Sequence, residues 1–109
     1  MRIWDIPPQN LCHSHLLGEH RELHAIWAIL TQNKKGYAHH PETLRWKNKL
    51  HALYDRHSLL VSEMKRRRYD HKSNLDKRLA TGSAKQNEFV NSPEEQVEIL
   101  KNKNCKCNV

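Results

Sequence analysis

Apolar residues recur at three- and four-residue steps in two long stretches of this chain, set apart by polar segments marked with proline or glycine. In the first stretch Cys12, Leu16, His20, Leu23, Trp27 and Leu30 fall in one stripe of a helix with 3.6 residues per turn. His15, Gly18 and Glu22 form a second stripe beside it. The first stripe suits a core, whereas the second lines up an imidazole, a gap in the side-chain cover and a carboxylate. Glycine inside a helix costs about 1 kcal/mol relative to alanine, so Gly18, one turn before Glu22, points to the close approach of another backbone or a ligand. Pro7 and Pro8 forbid helix at Ile6, which predicts an extended arm over residues 1 to 9. The first helix is then expected from about 9–11, with Asn10 as a candidate cap, to Thr31.

Asn33-Lys34-Lys35-Gly36 supplies turn chemistry, and a loop over 36–40 leads to Pro41, a residue suited to a first helical position. Trp46, Leu50, Leu53, His57, Leu60 and Met64 predict one continuous second helix from Pro41 to the basic run Lys65-Arg66-Arg67-Arg68. Residues 70–91 are polar and aperiodic and read as a long loop. Ser92-Pro93-Glu94-Glu95 places cap, proline and capping-box glutamate in order for a short third helix to about Lys101, followed by a frayed tail. The expected fold is all-α: a small single domain over 1–109, about three helices with an extended N-terminal arm and long polar loops.

Composition sharpens this picture. Mean hydropathy is −0.94, no apolar run reaches membrane-spanning length, and the start lacks the apolar centre of a secretory signal, so a cytoplasmic protein with no membrane partner is expected. Formal net charge is +7, and residues 1–80 carry 15 Lys and Arg against 8 Asp and Glu, while residues 81–109 carry 4 of each. The excess belongs to the first 80 residues, which points to an anionic partner such as nucleic acid. Lys34, Lys35, Arg66, Arg67 and Arg68 are the candidate phosphate contacts.

Three cysteines, Cys12, Cys105 and Cys107, argue against a disulfide framework. Cys12 reads as a small buried hydrophobe, and Cys105-Lys106-Cys107 lacks the usual spacing of a metal knuckle. His20 and His24 share a face, but Arg21 stands where a zincin helix needs glutamate, so no metal site is expected. Glu22 is the leading acid–base candidate. Trp27, Trp46 and His57 belong with the core, and Trp4 in the arm is a candidate for the functional surface.

Arg2-Ile3 at the start, His15-Leu16, Glu19 and Arg21-Glu22-Leu23 together resemble the pyrimidine-dimer DNA glycosylases of the phage endonuclease V type. A weaker similarity follows the second helix from Lys49-Leu50 through Met64 to Tyr69, so the resemblance covers about 1–75. It implies a helical DNA-repair enzyme that flips a nucleotide from the duplex and attacks the anomeric carbon of deoxyribose with its free amino terminus. An imine with the opened sugar then permits strand cleavage by β-elimination. The resemblance assigns the nucleophile to the α-amino group of Met1 and the essential glutamate to Glu22, with Arg2, His15 and Arg21 in the same site. It implies double-stranded damaged DNA as partner, a monomer, and no metal or organic cofactor. The family's second arginine, one turn beyond Arg21, corresponds to Ala25, and its basic aromatic carboxyl-terminal segment has no counterpart in the charge-neutral end of this chain.

Elementary acid–base chemistry agrees with that nucleophile. An α-amino group with a pKa of about 7.7–8.0 is roughly a tenth neutral at pH 7, against about four in ten thousand for a lysine near 10.4. A neighbouring Arg21 lowers the value further. Glu22 lies roughly 18 Å along its helix, and a nine-residue arm spans up to about 30 Å, so the two can meet. The residues alone leave two alternatives open: an abasic-site lyase without dimer specificity, and a non-catalytic helical module that binds nucleic acid.

Overall fold

The computed structural model describes residues 2–70 and 73–109. The architecture is all-α, with four α-helices and no strand among the described residues. Helix α1 spans His13–Gln32, α2 Pro41–Leu44, α3 Leu50–Arg66 and α4 Pro93–Lys101.

The first helix starts two residues later than its prolines suggest. Pro8–Asn10 closes a 3-10 turn, and Cys12 in extended conformation becomes the N-cap. At the far end Asn33 adopts the left-handed conformation (φ 51°) and Lys34 donates its N–H to the Ile29 carbonyl, which satisfies the last turn. The single helix expected from Pro41 onward is two. His40 caps α2 by accepting the Glu42 N–H, and the chain then leaves helical geometry at Asn48, whose φ is 63°. Arg45 and Trp46, in the turns between α2 and α3, are both buried.

Helix α3 has no side-chain cap. The long loop supplies one instead: Thr81 and Ser83 carbonyls accept the N–H groups of His51 and Ala52, and Ser83 donates to the Asn48 carbonyl. Gly82, with φ 82°, permits this contact, since a Cβ there would lie 2.1 Å from the Asn48 oxygen. Helix α4 carries the complete Ser92–Glu95 capping box that its sequence announces.

Helices α1 and α3 pack against each other. Leu16, Leu23, Ile26 and Trp27 from α1 meet Leu53, Leu60 and Met64 from α3 in one core, which Ile3, Trp4 and Ile6 of the arm, Leu11 after the 3-10 turn and Leu100 of α4 close. The arm is therefore a structural belt rather than a loose extension. Trp4, a candidate for the functional surface from its position in the arm, is 5% exposed and belongs to this core. The tail is not frayed either: Asn108 donates to the Asn10 carbonyl at 2.7 Å, and Cys107 and Val109 pack against the core. No described helix is long and apolar enough to cross a membrane.

Candidate active site

The arm is fixed by buried polar groups that face its backbone. Glu19, 1% exposed on the inner face of α1, accepts the Trp4 N–H at 3.1 Å. Arg56 from α3 forks onto the same carboxylate at 2.7 and 3.0 Å. Burial pushes the Glu19 carboxyl above its ordinary value, and the Arg56 ion pair and Trp4 N–H oppose that rise without cancelling it. One residue earlier, Glu42 of α2 accepts the Ile3 N–H at 3.0 Å.

Arg45 joins these pieces. Its guanidinium pairs with Glu42 and with Asp5 at 2.9 Å and donates to the carbonyls of Ile3 and Glu88, each at 3.0 Å. From α4, Gln96 accepts the Asp5 N–H and donates to the Asp5 carboxylate. Arg2 donates to Asn91 and lies over the Trp4 ring. Every strap from Arg2 to Asp5 thus ends on a side chain from a different part of the chain.

The sequence motif placed Glu19 among its residues but gave it no job, and Arg45, Glu42, Arg56 and Gln96 carried no individual signal. A glutamate between Leu16 and Leu23 on the apolar stripe is the one mark that could have pointed to the buried pair. Glu22, three residues further along α1, is half-buried, and Arg21 is exposed next to it. Met1 lies outside the described residues. Gly18 stands on the same edge of α1, and no described atom comes within 4 Å of a Cβ built there. The backbone approach expected at Gly18 is made at Glu19 instead.

Besides Arg2, two residues expected to meet DNA are engaged inside the protein. The His15 ring stands edge-on to Trp4, and its Nδ1 lies 3.1 Å from the Cys12 sulfur and 3.2 Å from that of Cys107. Burial, with Lys103 adding to it, holds His15 below its usual range, and burial pushes the Cys107 thiol up to about 12. Arg67 donates to the carbonyls of Pro8 and Leu11 while pairing with Glu63, so it clamps the base of the arm. Arg66 also pairs with Glu63 yet stays 66% exposed, and Arg68 is exposed with φ 64°. Lys34 and Lys35 are exposed on a groove of about 690 Å³ at the carboxyl end of α1, together with His39 and Lys47.

Cys12, expected as a buried hydrophobe, is half-buried and faces His15. His20, His24 and His57 converge between α1 and α3, with the Nε2 atoms of His24 and His57 3.1 Å apart.

The molecule is a small helical protein that packs its amino-terminal arm against a glutamate-bearing first helix and carries a formal net charge of +7. The family model for pyrimidine dimer DNA glycosylase matches residues 1–77, and the chain belongs to that family. The match contains the arm, α1, α2 and α3, and stops before α4 and the tail. No curated protein and no solved structure matches the chain.

Proposed function

We propose that this chain is a pyrimidine-dimer DNA glycosylase with abasic-site lyase activity, acting on duplex DNA through its own amino terminus. The observation that carries the proposal is the hydrogen bond from the Trp4 N–H to Glu19. It anchors the arm one helical turn from Glu22, about 4.5 Å along the α1 axis, while three residues of extended chain reach about 10 Å. That spacing supports a meeting of the Met1 α-amino group with the Glu22 carboxylate.

In this reading the neutral amine attacks C1′ of the damaged nucleotide and the glycosidic bond breaks, with the base as leaving group. Opening of the sugar ring gives an imine between Met1 and C1′. Loss of a C2′ proton then expels the 3′ phosphate by β-elimination. Glu22 accepts and returns protons at the amine and the ring oxygen and faces the positive charge that develops at C1′. Arg21 and Arg2 draw the phosphates next to the lesion, and Arg21 keeps the amine neutral. Lys34, Lys35, Arg66 and Arg68 extend the positive surface along the duplex. Gly18 leaves room for the strand. Base extrusion costs a few kcal/mol, less at a lesion that already disturbs pairing.

Borohydride trapping on a duplex with one abasic site tests the nucleophile. Mass spectrometry is expected to place the adduct on Met1, and acylation of the terminus is expected to abolish it. A Glu22→Gln chain should bind the same duplex but leave it uncut. An adduct on a lysine, or equal incision by Glu22→Gln, overturns the assignment. Cleavage of abasic duplex with a dimer-bearing duplex left intact reduces the function to lyase alone.

A further inference from the structure

Outside the matched region the tail carries the chemistry that the proposed reaction leaves unused. Cys105 and Cys107 lie beside Cys12, the N-cap of α1, and His15 in its first turn, and one donor atom from each of the four lies within 4.8 Å of all the others. We propose that Cys12, His15, Cys105 and Cys107 form a structural Zn2+ site that locks the tail to the start of α1.

The geometry is close to what the ion needs. Zn–S of about 2.3 Å and Zn–N of about 2.0–2.1 Å set tetrahedral donors about 3.5–3.8 Å apart. His15 Nδ1 stands 3.1 and 3.2 Å from the sulfurs of Cys12 and Cys107, so small outward shifts make room for the metal. Neither half of the site reads as a metal motif alone: Cys12-x-x-His15 is a single helix start, and Cys105-x-Cys107 is too tight a knuckle. Together they give three thiolates and an imidazole, a closed set without a position for a reactive water, which is the composition of structural zinc.

The surroundings fit as well. The Cys12 N–H donates to the Cys107 sulfur at 3.1 Å, and the amino end of α1 favours a thiolate on its cap. The hydrogen bond from Asn108 to Asn10 holds the tail in register beside the helix start. All three cysteines are free and half-buried, so the thiols are open to a metal, and binding releases their protons to solvent. Through the Trp4 ring against His15, the ion would also brace the arm.

Native mass spectrometry of the full chain purified with Zn2+ is expected to show one ion per molecule, lost on unfolding with chelator. The Co2+-loaded chain should show tetrahedral ligand-field bands and thiolate-to-cobalt charge transfer of three-thiolate intensity. That spectrum is taken on the unaltered sequence and does not depend on a variant folding. Cys107→Ser should weaken Zn2+ by more than about a hundredfold, beyond the 10–100-fold typical of an outer-shell partner. His24→Gln, in the histidine group between α1 and α3, should leave the affinity unchanged. Four outcomes overturn the proposal: no Zn2+ bound with the thiols reduced, thiols closed as a disulfide, iron in place of zinc, or an ion lost in His24→Gln and kept in Cys107→Ser.

Discussion

The two ends of this chain are both fastened to distant parts of it, and they are fastened by different chemistry. The arm is held by carboxylates, guanidinium groups and an amide that face its backbone: Glu19, Glu42, Arg45 and Gln96. The tail is held by sulfur and imidazole, with one backbone hydrogen bond beside them. Buried polar groups with complete hydrogen bonding hold one geometry closely and are costly to break, because each deleted partner leaves another charge stranded. Such fastening suits the proposed reaction, in which the first residue of the arm would have to meet Glu22 in one defined geometry. The thiol cluster fixes the tail only as well as whatever draws its donors together, and it lies outside the part of the chain that the family model matches.

The largest effect expected from breaking this contrast is at Arg45. Arg45→Ala strands Glu42 and Asp5 under the arm and should cost about 3–5 kcal/mol in urea unfolding. A loss below about 1 kcal/mol would mean that Ile3, Trp4 and Ile6 hold the arm by burial alone. Deleting residues 105–109 should cost less when chelator is present, about 1–2 kcal/mol for the partly buried Cys107 and Val109 and the bond to Asn10. A larger loss under those conditions would place the tail on a par with the arm.

Acid separates two carboxylates that hold the arm. Hydrogen bonds from Arg66, and then from Arg67, bring Glu63 down from 4.5 to about 2 in the folded chain, against the opposing effect of burial. Its contribution is present above pH 4.5 and is lost as pH falls toward 2, because the unfolded chain takes up the proton first. Glu19 has the opposite sign: its raised folded value favours the folded state below the unfolded pKa and withdraws that contribution as pH rises through the folded one. Unfolding midpoints measured from pH 5 to 2 should fall less steeply for Glu63→Gln than for the native chain. Equal slopes would remove Glu63 from the acid response.

The smallest structural change has the sharpest functional reading. Gly18→Ala meets no described atom within 4 Å and relieves a helix interior of glycine, so it should add up to about 1 kcal/mol of stability. If the DNA strand passes over Gly18, the same substitution lowers the rate of strand cleavage. A stabilised protein with unchanged cleavage would place the strand elsewhere.

Local chemistry determined much of this protein without its tertiary structure. Period 3.6 marked α1 and the body of α3, Ser92-Pro93-Glu94-Glu95 marked α4, and the prolines kept residues 2–7 out of helix, although Pro8–Asn10 then closes a 3-10 turn, because each feature acts over a few bonds along the chain. The motif Arg21-Glu22-Leu23 with Arg2-Ile3 was equally legible, and it led to the family. What the sequence left undecided was every partner far away in the chain: Glu19 for Trp4, Arg45 for Asp5, and the tail cysteines for Cys12 and His15. The break between α2 and α3 is of the same kind, for it carries the Asn48 carbonyl that receives Ser83. Spacing along a chain records which residues share a helix face, whereas the meeting of segments 15 to 95 residues apart depends on how the helices pack. Only the folded chain could turn a glutamate on an apolar stripe into an anchor for the arm, and two unremarkable cysteine segments into one four-donor cluster.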